Sequence, residues 1–133
     1  MVQVKGNINT DDSYVIDFGE IKIYIRQLCR TLDEHFLVPE LSSSIKIKII
    51  DNKQLEMLTI PENHLFSFPI QDCLCLPIRA STVEELSIYF TEQLVKLISL
   101  QRLQERKITE LTVGITETPG QQARYTYQIP PLM

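Results

Sequence analysis

The residue whose type and position could do chemistry is Glu117, at the end of the segment Leu111-Thr-Val-Gly-Ile-Thr-Glu117. A period of two puts Leu111, Val113 and Ile115 on one strand face, and carries Glu117 into line with them. A carboxylate on a buried face without partners is costly, so such a group sits at a strand end facing a cleft, where a ligand or donor can satisfy it. The alternative is that Glu117 starts the turn at Pro119-Gly120 and reaches water, as charges at strand ends commonly do. Thiols and imidazoles are few. Cys73 and Cys75 form a C-x-C on an apolar run, but four-coordinate zinc needs further ligands, and only His35 and His64 remain. The two thiols therefore read as small buried hydrophobes. Cys29 completes an odd count of three, which argues for free thiols in a reducing compartment.

The elements that must position these groups follow from periodicity. Val2 to Ile8 and Tyr14 to Ile16 read as short strands joined by the turn chemistry of Asn9-Thr-Asp-Asp-Ser13. Asp17 and Glu20 make a capping box, and Phe18, Ile21, Ile25, Leu28, Leu32 and Phe36 recur at steps of three and four, predicting a helix from about Phe18 to His35. Ile45, Ile47 and Ile49 alternate with Lys46 and Lys48 in a strand, and Leu55 to Thr59 reads as its return. Pro61 to Pro69 reads as irregular, and Cys73 to Ile78 as a short extended piece. A second helix starts at Ser81 or Thr82, because Ser81 to Glu84 and Thr82 to Glu85 both satisfy the capping pattern, and it runs to about Gln104. Ile108 to Glu117 and Ala123 to Ile129 form a hairpin about Pro119-Gly120. The order predicts an α+β layer, two helices on one face of an antiparallel sheet, in a single domain spanning residues 1–133.

Composition narrows the function classes. The chain has 133 residues, 44% of them hydrophobic and 23% charged, with a net charge of -4. That is enough chain for a core without disulfides, and the negative balance with dispersed lysines gives nucleic acid no footprint. No run approaches the roughly 20 apolar residues that span a bilayer, and the first residues lack a signal-peptide pattern, so a cytoplasmic location is expected.

Four segments together resemble the 6-pyruvoyl-tetrahydropterin synthase and 6-carboxy-tetrahydropterin synthase family, which has the tunnelling fold. They are Val15-Ile-Asp-Phe-Gly-Glu-Ile-Lys22, Leu32-Asp-Glu-His-Phe-Leu37, Leu76-Pro-Ile-Arg-Ala-Ser-Thr-Val-Glu-Glu-Leu86 and Thr116-Glu-Thr-Pro-Gly-Gln-Gln-Ala-Arg-Tyr125. They occur in the family's order and spacing from about Val2 onward. The resemblance implies that Glu117 anchors a pterin ring, and that Ser81 and Thr82 lie beside it. A carboxylate suits that role, since it can accept two parallel hydrogen bonds from the ring's amino and imino groups. Helix capping is the other role open to Ser81 and Thr82, and the two can coexist.

The chain also departs from the family. Its zinc is held by three histidines, ending in H-G-H, in a segment that precedes the residue aligned with Val2, and its catalytic cysteine comes from the same region. None of that segment is in this sequence, so no metal and no cofactor is predicted. At the family's aspartate-histidine relay Asp33 matches, but Glu34 takes the histidine position and His35 falls one place later, a step of about 100° on a helix. Asp33 and His35 are thus candidate catalytic residues of a degraded relay. Two functions stay open. One is a pterin-binding or purine-like-ligand-binding protein without the zinc centre, possessing no catalysis of its own. The other is an active carbon-oxygen lyase whose zinc and cysteine segment is supplied upstream or by another subunit. The family's assembly implies a homo-trimer or hexamer, in which subunit sheets join into a barrel.

Overall fold

The computed structural model describes residues 1–8 and 15–132. The element order is β1 (Val2–Gly6), α1 (Phe18–Leu32), β2 (Phe36–Pro39), β3 (Ile45–Ile50), β4 (Gln54–Thr59), β5 (Leu65–Pro69), β6 (Cys73–Leu76), α2 (Val83–Ile98), α3 (Leu100–Glu105), β7 (Ile108–Thr118) and β8 (Gln121–Gln128). The main sheet is antiparallel in the order β1-β7-β8. Its helix-facing side carries Leu111 and Val113, fully buried, with Val2, Val4, Ile115 and Tyr127 packed around them. Its other side is polar, and Thr112 and Thr126 share a hydrogen bond of 2.7 Å across it. This alternation is what the hairpin pattern predicted. The α+β class and its antiparallel sheet follow.

Helix α1 starts where the sequence placed it, with the Asp17 carboxylate accepting from the Gly19 amide at 2.9 Å. Glu20 does not reach back to close the capping box. It takes hydrogen bonds from Tyr24, at 2.7 Å, and from Arg102 on α3. The helix also ends earlier than His35. Asp33 is its C-cap and Glu34 turns left-handed at φ 57°, after which Phe36 opens β2. Phe36 leaves the helical stripe because its ring stacks on Phe68, 4.3 Å between centroids. A tertiary contact here outweighs a spacing of four.

The second predicted helix is two. Ser99 has φ 86°, which breaks the run; its amide donates to Val95, while its hydroxyl accepts from the Arg102 amide at 3.1 Å and so caps α3. Among the described residues there are thus three α-helices rather than two. Leu94 and Leu103, on either side of the break, are fully buried with Leu111.

Other differences are in the strands. β1 pairs with β7, from Val2 opposite Val113 to Gly6 opposite Ile108, and not with Val15 or Ile16. Val15 and Ile16 lie in a bend, and Tyr14 with the Asn9 to Ser13 turn falls outside the described residues. β2 and β6 form a parallel pair, Phe36 opposite Cys73 through Pro39 opposite Leu76. The stretch read as irregular contains β5, which adds to β4 in a second antiparallel sheet, β3-β4-β5. Val38, Leu55 and Met57 centre a small core between these two units, and Cys73 and Cys75 pack against it, partly buried where the sequence reading had them buried.

Candidate functional site

The end of β7 is built irregularly. Thr116 lies opposite Gln122 and Thr118 opposite Gln121, so Glu117 is the extra residue of a β-bulge with no cross-strand partner. A bulge re-aims a side chain out of the regular pleat. Pro119 and Gly120, at φ 84°, then close the hairpin, and these are the residues a type II turn requires. Strict alternation would have buried Glu117 beside Ile115. The bulge instead leaves it exposed at the sheet's rim.

There it lines a cavity of about 380 Å³ with Ser81, Thr82, Val83, Glu84, Gly120, Gln121 and Gln122. Ligand sites start at roughly 300 Å³, so a flat two-ring heterocycle fits this scale. The opposite wall is the first turn of α2. Thr82 is its N-cap and accepts from the Glu85 amide at 3.3 Å, which leaves the hydroxyl hydrogen free to donate. The Ser81 hydroxyl donates to the Leu37 carbonyl at 2.9 Å, tying the helix start to β2 and leaving its lone pairs to accept. Of the two capping patterns in the sequence, the structure uses Thr82 as the N-cap, without a reciprocal bond from the Glu85 side chain. Facing them, Glu117 offers two acceptor oxygens. A helix N-terminus on the far wall favours negative charge there. Chemically, the arrangement suits a ring edge rich in N–H donors.

Glu117, Ser81 and Thr82 are therefore brought together, whereas Asp33 and His35 do not line this cavity. His35 Nδ1 lies 2.7 Å from the backbone carbonyl of Asp33. A carbonyl only accepts, so this nitrogen carries the proton. The imidazole is held by the main chain of Asp33 and not by its carboxylate, and both residues are exposed. The sequence assigned no role to Glu84, Gly120, Gln121 or Gln122 in the site. Their signal was present: Gly120 to Gln122 belong to the motif that carries Glu117, and Glu84 is the partner in the unused capping box.

A zinc centre of the kind the resemblance implies needs three or more nitrogen, sulfur or carboxylate donors converging on one point. Among the described residues no group of three His, Cys, Asp or Glu is so placed, and zinc does not fit this donor set alone. The thiols do not compensate. Burial pushes both Cys73 and Cys75 above the usual thiol range, with Cys75 and Asp72 adding to the effect at Cys73 and Glu40 adding at Cys75. They are thus kept protonated at neutral pH, which disfavours metal binding and nucleophilic attack. No described helix is long and apolar enough to cross a membrane.

Comparison with known proteins shows the family and the fold. The sequence profile of the family described as 6-pyruvoyl tetrahydropterin synthase matches residues 1–128. A Methanocaldococcus jannaschii protein, provisionally named a 6-carboxy-5,6,7,8-tetrahydropterin synthase, is 30% identical over 124 residues, 93% of this chain and 73% of that protein. The crystal structure of 6-pyruvoyl tetrahydropterin synthase from Plasmodium vivax superimposes with a TM-score of 0.90 at 34% identity, covering 96% of this chain and 77% of that one. The Plasmodium falciparum enzyme does so with a TM-score of 0.90 at 33% identity, over the same shares.

Proposed function

The chain belongs to the 6-pyruvoyl tetrahydropterin synthase family, and from that premise we propose that it binds a reduced pterin, or a purine-like ring of the same donor pattern, through Glu117. The observation that carries this reading is the bulge that turns Glu117 into one cavity with Ser81 and Thr82. In the bound state the Glu117 carboxylate accepts from the ring's amino and imino groups, Thr82 donates to a ring acceptor, and Ser81 accepts from a further N–H. A charged acceptor paired with two parallel donors gains most when water is excluded.

Closure comes from assembly in this proposal. β1 and β8 are the edges of the main sheet, each paired only with β7 among the described residues. Edge strands call for pairing or cover. Joining β1 of one copy to β8 of the next makes a ring, a trimer or a hexamer, and brings a neighbouring subunit to the rim where Glu117 lies. Three free thiols suit a reducing, cytoplasmic setting.

We infer a pterin-binding role without catalysis of its own, because the described residues present an anchor and no group of three metal donors. A second reading is an active synthase-type lyase completed by a segment outside these residues or by another subunit. It is favoured by the Plasmodium vivax relative, an enzyme over whose length this chain spans 77%.

The test is titration with pterin, followed by its own fluorescence, on the wild type and Glu117→Gln. The variant should lose binding while keeping its assembly state by light scattering, and unchanged affinity would show the anchor to be misassigned. Metal analysis separates the two readings. Stoichiometric zinc in the purified assembly favours the lyase, and its absence with intact pterin binding favours the binding protein.

A further inference from the structure

A bulged residue has no ladder partner, so an anchor placed on one takes its aim from the pairs beside it. The neighbouring pair supplies a candidate. Gln122, directly opposite Thr116, donates from its amide nitrogen to the Thr116 hydroxyl at 3.2 Å, and its amide oxygen accepts from Arg124 Nε at 2.7 Å. An arginine can only donate, so Arg124 fixes which end of the amide is oxygen and turns the NH2 towards Thr116. The floor under the amide is Gly114. A Cβ there would stand 3.0 Å from the Gln122 Cδ and 3.1 Å from its Nε2. A glycine inside a strand weakens it, and here it makes the room in which the amide lies flat on the sheet.

We propose that the Thr116–Gln122–Arg124 chain is a clasp, with Gln122 as the positioning residue that holds the last regular pair of the hairpin and so aims Glu117 into the cavity. This rests on the pterin-binding reading and extends it. Two parallel hydrogen bonds to a ring demand a fixed carboxylate plane, and a loosened bulge loses that orientation before it loses the fold. Gly114→Ala should act from below in the same direction, by lifting the amide off the sheet.

The experiment is a double-mutant cycle in the intact assembly, with pterin fluorescence as the readout. Gln122→Leu and Thr116→Val should each weaken pterin by about fivefold to tenfold, the value of one hydrogen bond, and the double variant should be no weaker than either. Hydrogen exchange should show faster opening at the Glu117 amide in Gln122→Leu, with the thermal midpoint unchanged. Wild-type affinity in both single variants, strictly additive losses, or a loss that tracks a lowered thermal midpoint would each overturn the clasp. Failure of this inference alone is recognisable, because Glu117→Gln would still abolish binding. If the wild type does not bind pterin, the binding reading fails, and the clasp falls with it.

Discussion

At the scale of single residues, the cavity divides its labour by hydrogen-bond inventory. Glu117 can only accept, Ser81 has its proton committed to Leu37, and Thr82 keeps its proton free while its oxygen caps α2. The cap and the donor are separable by substitution. Thr82→Asp retains a good N-cap, so thermal stability should hold within about 0.5 kcal/mol. It removes the donor and adds a third carboxylate to a cavity already holding Glu117 and Glu84, so pterin affinity should fall by about tenfold or more. Equal stability with equal affinity would show that Thr82 only caps. Asp33 provides the opposite case. Its backbone carbonyl, not its side chain, meets His35, and neither residue lines the cavity, so Asp33→Asn should leave pterin affinity unchanged.

At the scale of elements, α3 is held to α1 through charge. Glu20 takes hydrogen bonds from Arg102 and Tyr24, and these hold its carboxyl below the usual 4.5, the Arg102 contact contributing most. A carboxylate with a lowered folded-state pKa stabilises the fold above its unfolded pKa, and that contribution is lost as pH falls through the lowered value. Arg102→Ala should therefore cost about 0.5–1 kcal/mol at pH 7, a modest amount because the pair is partly exposed. The gap to wild type should narrow as pH drops below 4.5. Urea melts across that range check the sign; a gap that widens in acid would refute it. Gly6 marks a tighter constraint. A Cβ there would lie 2.8 Å from the Lys107 oxygen and 2.9 Å from the Ile108 Cα, both backbone atoms that cannot step aside. Gly6→Ala should destabilise by about 1–3 kcal/mol as β1 is pushed from β7, measurable by thermal melts.

At the scale of the whole molecule, the proposed ring predicts a mass in solution of three or six times 15.4 kDa by light scattering. A monomer at every concentration would remove the subunit-shared site. Much of this protein was legible in its sequence. Alternation along Leu111 to Ile115 and the capping pattern at Thr82 depend on near neighbours, so the helix-facing sheet side, the hairpin and the start of α2 were all written in local spacing. The grouping of Glu117 with Ser81 and Thr82 came through resemblance to a family, since 34 residues of chain lie between Thr82 and Glu117 and no periodicity spans that gap. Contacts distant in sequence decided the rest. Phe36 left the helical stripe for a ring on β5, Ser99 broke a pattern that continued on both sides of it, and β2 found β6 as a parallel partner across a whole inserted sheet. The bulge at Glu117 is the same lesson at the site. Period two fixes which face a residue would share, but an extra residue in a ladder is defined only by counting both strands, and that count exists only once the strands have paired.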